Sequence, residues 1–198
     1  MDEVKSALEI ALEKAGKIGE ATEEERLKWK YVPEGEKLAA RYLKDECNLV
    51  AELSRYNEKA RKYVIKGAED IVARHITLPK DDFAERNNRR AMEGLKIIKT
   101  DKVKVENIYS AIRRIFNHYM NQGKQQKLQA HESLKAEFGA KLQQAMQQQM
   151  GPVIGLGYKI DVERQPQFQE EWHRLQAQLD SQYLKLLDEY KQGLLAIS

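Results

Sequence analysis

Hydrophobic residues recur every three or four positions along most of this chain, which is the spacing expected of amphipathic helices. The clearest series lies near the C-terminus, with successive steps of 4, 3, 4, 4, 3, 4, 4 and 3 in Phe168, Trp172, Leu175, Leu179, Tyr183, Leu186, Tyr190, Leu194 and Ile197. These steps average about 3.6, so they indicate a straight helix rather than a supercoiled one. Proline fits the first helical turn, so Gln165-Pro166 marks the start. The pattern predicts a helix over residues 166–196.

A second long helix is predicted over residues 104–150. Its apolar positions are interrupted across residues 121–127, and Gly151-Pro152 ends it. If continuous, it would be roughly 70 Å long at about 1.5 Å per residue. We expect the last two helices to form an antiparallel hairpin over residues 104–196, in which part of the longer helix packs elsewhere or projects.

The first half of the chain predicts shorter helices over residues 3–17, 36–75 with a break near residue 46, and 81–99. Thr22 and Glu25 fit a capping box for a further short helix that ends near Pro33 and Gly35. We therefore expect an N-terminal amphipathic arm over residues 1–35 and a helical domain over residues 36–198.

Strand-like alternation is confined to two short stretches. Tyr158, Ile160 and Val162 alternate with polar residues, and a similar alternation covers residues 102–105. A strand leaves edge amides that need a partner. The two stretches could pair as a ribbon, the first could add to another molecule, or it could be an irregular solvated loop. The predicted fold is all-α, an elongated helical bundle dominated by the C-terminal hairpin, with at most one very short β ribbon and with Tyr158, Ile160 and Val162 as candidate partner-binding residues.

Charge does not favour a polyanionic partner. The chain has 34 basic and 31 acidic residues, so its formal net charge is only +3. The best basic clusters are Arg86, Arg89 and Arg90, and Arg113 and Arg114. They are the candidate nucleic-acid-binding residues, although acidic residues dilute the first cluster and a solvated helix face is the simpler explanation.

The composition indicates a cytoplasmic protein that does not enter the membrane. Cys47 is a single cysteine and cannot form an internal disulfide, and the start of the chain lacks the features of a signal peptide. No apolar run approaches the roughly 18 residues of a membrane-spanning helix.

No catalytic, metal-binding or cofactor-binding constellation is predicted. Glu170 and His173 have the spacing of two ligands in a di-metal helical bundle, but the chain supplies no second copy of that pair. Cys47 has no activating base nearby in sequence, so a small buried thiol is the simpler interpretation. The glycines around residue 156 lack the lysine of a phosphate-binding loop.

Three segments, residues 5–13, 76–81 and 157–168, resemble a family of uncharacterised bacterial all-helical proteins with no known activity. The resemblance implies no site residues. The sequence therefore predicts a non-enzymatic cytoplasmic helical interaction or assembly protein, with a protein partner or a second copy of itself. The alternative is an RNA- or ribosome-associated factor that uses the basic helix faces.

Overall fold

The computed structural model describes residues 22–150 and 161–197. In these residues 86% of positions are helical and there is no strand, so the all-α prediction is confirmed. The α-helices are α1 (Glu23–Leu43), α2 (Leu49–Leu53), α3 (Glu58–Arg74), α4 (Asp82–Ile98), α5 (Lys102–His118), α6 (Lys124–Met150) and α7 (Pro166–Ala196). A π-helix, Tyr119–Gly123, joins α5 to α6, and a 3-10 helix, Val162–Arg164, precedes α7. The chain divides into two compact units between Ile71 and Val72.

Helix α1 begins with the predicted capping box and ends later than predicted. Thr22 Oγ1 accepts a hydrogen bond from Glu25 N–H, and the Glu25 carboxylate accepts one from Thr22 N–H. The predicted end near Pro33 and Gly35 is wrong, because the helix continues through both residues to Leu43. Pro33 removes one backbone donor but is exposed to water, which can satisfy the freed carbonyl.

Gly35 lies where α1 crosses α3 within the first unit. A Cβ atom on Gly35 would lie 2.0 Å from the backbone oxygen of Val64, and one on Gly67 would lie 2.1 Å from that of Val32. The two helix backbones therefore touch through a pair of glycines. Gly35 therefore allows the two helices to pack closely and does not end α1.

The predicted break near residue 46 is confirmed. Asp45 has a φ of 66° and takes the left-handed position that follows a helix. Its N–H donates to Tyr42 O, and Glu46 N–H donates to Arg41 O, so the last carbonyls of α1 are satisfied. Asn48 then accepts from Ala51 N–H and starts α2.

Residues 102–105 form the first turn of α5, so the predicted strand there is wrong. Asp101 accepts a hydrogen bond from Lys104 N–H and caps the helix. That hydrogen bond and the Lys104 ammonium lower the pKa of the Asp101 carboxyl. The alternation of Val103, exposed, and Val105, buried, fits one helical turn as well as a short strand. A ribbon with residues 102–105 is therefore excluded.

The C-terminal hairpin is present, and its second helix covers the predicted residues, 166–196. Tyr119 packs on Tyr183 and His131 packs on Trp172, so α7 runs antiparallel to the helical stretch that precedes it. Further along, buried Lys99 donates to the carbonyl oxygens of Leu195 and Ile197. Residues 102–150 are helical throughout, and the stretch without an apolar stripe includes most of the π-helix.

Of the three candidate partner-binding residues, Val162 is the one that the structure describes. It lies in the 3-10 helix and is buried with Leu134 and Phe168, and Phe138, Leu142 and Trp172 pack around them. The predicted strand therefore does not reach Val162, whose side chain faces its own hairpin. Tyr158 and Ile160 lie outside the described residues. Among the described helices, none is long and apolar enough to cross a membrane.

Candidate binding groove

Helices α4 and α5 form two neighbouring ridges in the second compact unit. A loop of three residues joins them, and each places charged side chains three, four or seven residues apart along one face. The α4 ridge consists of Glu85, Arg89, Glu93 and Lys96. The α5 ridge consists of Glu106, Arg113 and Asn117. Between the ridges lies a cavity of about 420 Å³, which we call the α4–α5 groove.

The floor of the groove is apolar. Pro79, Met92, Phe116 and Met120 line it, and Met120 remains 36% exposed. Beneath them Tyr109 donates a hydrogen bond of 2.6 Å to Met92 O, which ties α5 to α4. A concave surface of this size with an apolar floor and polar rim is typical of a binding site.

One wall of the groove depends on Asn88, a buried polar residue of α4. Its amide donates to Thr77 O at 2.7 Å, and its amide oxygen accepts from Thr77 N–H at 2.8 Å. Both backbone groups of the loop are thereby satisfied without water. The paired hydrogen bonds fix the segment that places Pro79 in the groove.

The cationic groups on the rim are paired with acids of the same ridges. Arg89 lies 3.8 Å from Glu85, and the Glu106 carboxylate accepts from both Arg113 and Lys96. Hydrogen bonds from Arg113 and then Lys96 hold the pKa of Glu106 below its usual value. The rim is therefore a network of neighbouring opposite charges rather than a basic surface.

A second cavity of about 670 Å³ lies beside the groove and shares Pro79, Glu85 and Met120 with it. Its other lining residues are almost all polar: Lys80, Asp81, Asp82, Tyr119, Lys124, Lys127, His173, Gln176, Ala177 and Asp180. We call it the Asp180 cleft. It lacks the apolar floor of the groove, so it offers less hydrophobic free energy to a ligand.

At the inner end of this cleft, a buried carboxylate joins three elements. Asp180 of α7 is 4% exposed and lies 2.6 Å from Lys127 Nζ of α6 and 3.1 Å from Lys80 Nζ, just before α4. Lys127 also donates to the Tyr119 hydroxyl at 2.6 Å. Burial opposes ionisation of Asp180, but Lys127 and Lys80 outweigh it and lower the pKa of the carboxyl. Burial likewise opposes the charge on Lys127, yet Asp180 and Tyr119 raise its pKa.

The π-helix brings aromatic side chains against α7 at the same level. Tyr119 meets Tyr183 edge to face with ring centroids 5.1 Å apart, and His118 Nδ1 lies 2.8 Å from the Tyr183 hydroxyl. A Cβ atom on Gly123 would lie 3.2 Å from that hydroxyl. π-helical turns occur frequently at functional sites. Here the turn carries Met120 into the groove.

The five predicted nucleic-acid-binding arginines do not share one free surface. Arg89 and Arg113 lie on the groove rim and are paired with glutamates. Arg86 is exposed, Arg90 is half-buried, and Arg114 is exposed with its Nε donating to Ser110 O. The cluster therefore presents less free positive charge than its sequence suggests.

The other residues considered from the sequence lie apart from the groove. Glu170 and His173 are both exposed on α7. In the described part of the chain, no group of three or more His, Cys, Asp or Glu side chains is placed to hold a metal ion. Cys47 is half-buried, with its Sγ 3.9 Å from Leu38 O.

Sequence reasoning missed the groove and the buried ion pairs. In the sequence, Met92 and Phe116 are recognisable only as apolar residues at helical spacing. That spacing does not show which residues line a cavity. Asp180 carried no such signal, because it lies beside the predicted apolar stripe of α7 and not within it. Identifying Lys127 as its partner requires the hairpin register.

Among known proteins, the chain matches the model of one protein family. No curated protein and no solved structure matches the chain. A family described as a family of unknown function, DUF6657, matches residues 50–196, which is most of the chain. The resemblance to an uncharacterised family is thus confirmed, and the protein belongs to DUF6657.

Proposed function

We propose that this protein is a non-enzymatic cytoplasmic interaction protein, and that its α4–α5 groove binds an amphipathic helix of another protein. The observation that carries the proposal is the apolar floor formed by Pro79, Met92, Phe116 and Met120 between two charged ridges. An amphipathic helix would place its apolar face on this floor and its polar face in water. Methionine suits such a floor because its flexible side chain adapts to different partners.

The size of the groove limits how much of a partner helix it can bury. A volume of about 420 Å³ accommodates a few side chains rather than a whole helix, so two or three apolar anchors of the partner would enter it. Contacts along the ridges would supply orientation more than affinity. The proposal therefore favours a reversible complex over a permanent one.

The test compares two variants that each remove one exposed apolar side chain from the same helical stretch. Met120→Gln removes an anchor contact in the groove, whereas Leu128→Gln removes a side chain that is 61% exposed and does not line the groove. Affinity capture with each variant, followed by cross-linking from Lys96 on the rim, identifies partners. We expect Met120→Gln to lose partners that cross-link to Lys96 and Leu128→Gln to keep them. Retention by both variants would contradict the proposal.

A second copy of the chain is the alternative occupant. Light scattering at micromolar concentration separates the two cases, since a monomeric mass leaves a different protein as the partner. If the wild-type protein is a dimer and Met120→Gln is a monomer, the groove serves assembly instead. The competing RNA proposal predicts salt-sensitive co-purification with nucleic acid.

A further inference from the structure

The outer face of α1, in the first compact unit, carries an exposed tryptophan. Trp29 is 65% exposed, and Pro33, one turn further along the same face, is exposed as well. The opposite face of α1 packs within the unit through buried Leu38 and Tyr42. Burying a tryptophan removes roughly 150–250 Å² of mainly apolar surface from water, so a second element that covered Trp29 would be stabilised by this face.

The segment that precedes α1 in sequence has the pattern needed to cover this face. Residues 3–17 lie outside the described residues, and their sequence predicts an amphipathic helix. Its apolar side consists of Val4, Leu8, Ala11, Leu12 and Ala15. A helix this short is marginal in water unless its apolar side packs against another element. Only residues 18–22 separate it from the start of α1 at Glu23, a connection typical of two antiparallel helices.

We propose that residues 3–17 fold back as a helix on α1 and cover Trp29. An antiparallel return after residues 18–22 brings Leu8 and Leu12 level with the turn of α1 that contains Trp29. Leu12 then contacts one side of the indole, and Leu8 lies between Trp29 and Pro33. The contact belongs to the first unit and makes no use of the α4–α5 groove, so it does not depend on the proposed function.

The charges beside this contact match in the same register. In an antiparallel pair, the residues that directly follow the facing positions lie along one common edge of the interface. Lys30 directly follows Trp29, and it is exposed. Glu9 directly follows Leu8 and reaches the same edge at nearly the same level. The pairs of opposite charge along this edge are Glu9 with Lys30, Glu13 with Arg26, and Lys5 with Glu34.

These charges also oppose a shift of the register. A shift by one helical turn in one direction would place Lys5 opposite Lys30. A shift by one turn in the other direction would place Glu9 opposite Glu34. Each shift replaces an attraction by a repulsion, so the charges favour the register that the short connection allows.

Acrylamide quenching of tryptophan fluorescence tests the contact in the intact chain. The chain has two tryptophans, so Trp172→Phe leaves the fluorescence of Trp29 alone. We expect Leu12→Gln to raise the quenching of Trp29 to that of N-acetyltryptophanamide in water, because the covering helix leaves. The matched control is Ile10→Gln, which removes an apolar side chain from the opposite side of the same segment and should leave the quenching unchanged. Circular dichroism checks that each variant is folded.

Exchange of charges tests the register. At low salt, Glu9→Lys should lower the ratio of docked to undocked segment by up to about fivefold, the effect of one exposed ion pair. Adding Lys30→Glu should restore the protection of Trp29. Adding Lys28→Glu instead should not, because Lys28 lies on the other edge of the interface.

Two results would overturn the docking of residues 3–17. One is a Trp29 that is quenched as strongly as N-acetyltryptophanamide before any change in the segment. The other is an equal change in quenching for Leu12→Gln and Ile10→Gln. If Lys28→Glu restored the protection as well as Lys30→Glu, the proposed register would be wrong.

Discussion

Asp180 is a carboxylate that folding removes almost completely from water. Its two lysine partners come from α6 and from the segment before α4, so one side chain holds α7 to two other parts of the second unit. Taking such a charge out of water costs several kcal/mol, which nearby opposite charges must offset. Removing the charge of Asp180 would leave Lys127, only 20% exposed, without its counter-ion.

Asp180→Asn should lower the free energy of unfolding by about 3 kcal/mol near neutral pH, the usual cost of breaking a buried pair. The matched control is Asp188→Asn. Asp188 also pairs with a lysine, Lys191 of its own helix, but it is 68% exposed. We expect less than about 0.5 kcal/mol there. Urea unfolding monitored by circular dichroism measures both changes, and equal losses would contradict the role assigned to Asp180.

The stability difference between the wild type and Asp180→Asn should depend on pH. The pKa of Asp180 is lowered by folding from an ordinary value of 3.8, so its stabilisation is present above that value and is lost as the pH falls through the folded pKa. The stability difference between wild type and Asp180→Asn should therefore shrink between about pH 7 and about pH 3. Unfolding curves at both pH values would show it, and a constant difference would exclude the ion pairs as its cause.

The starts of several helices were predictable because their signals are local. The capping residues Thr22, Asn48, Asp81 and Asp101 all accept hydrogen bonds from backbone N–H groups of the helices that they start. Of these four residues, only Thr22 forms a capping box, in which the Glu25 carboxylate accepts a hydrogen bond from Thr22 N–H. Local chemistry of this kind can be read without knowing the fold.

Helix packing was less predictable because it depends on distant partners. The apolar stripe of α7 includes Leu186, which is 45% exposed, whereas Asp180 and Leu187, which lie outside the stripe, are buried. The buried face is therefore rotated from the centre of the stripe toward α5 and α6. Pro33 and Gly35 likewise suggested a helix end, and only the position of α3 shows why the helix continues.

The crossing of α1 and α3 gives a sharp prediction. Gly35→Ala and Gly67→Ala should each lower the free energy of unfolding by about 3 kcal/mol, because the new methyl group would meet backbone rather than a movable side chain. Gly139→Ala in α6 is the control, since its nearest neighbour would be Val162 Cγ2 at 3.8 Å. There alanine should be neutral or stabilise by up to about 1 kcal/mol. Chemical denaturation ranks the three, and tolerance of alanine at Gly35 would exclude the close crossing.

For the protein overall, the sequence predicted the fold class and the last helix but not the α4–α5 groove. The helical spacing of apolar residues recurs along the chain and indicates that each of these segments is a helix. A groove arises where two ridges meet, so it depends on the antiparallel placement of α4 and α5. Membership of DUF6657 places the chain in a family of unknown function and leaves its activity to experiment.

The central claim is that the α4–α5 groove binds an amphipathic helix, and methionine methyl NMR tests it most directly. Met92 and Met120 line the groove, whereas Met146 lies on α6 outside it. We titrate the intact protein, labelled at its methionine methyl groups, with a synthetic amphipathic helical peptide about 18 residues long. The account predicts that the Met92 and Met120 signals shift together and saturate while the Met146 signal stays in place. Saturable binding that moves Met146 and leaves Met92 and Met120 unchanged would contradict it.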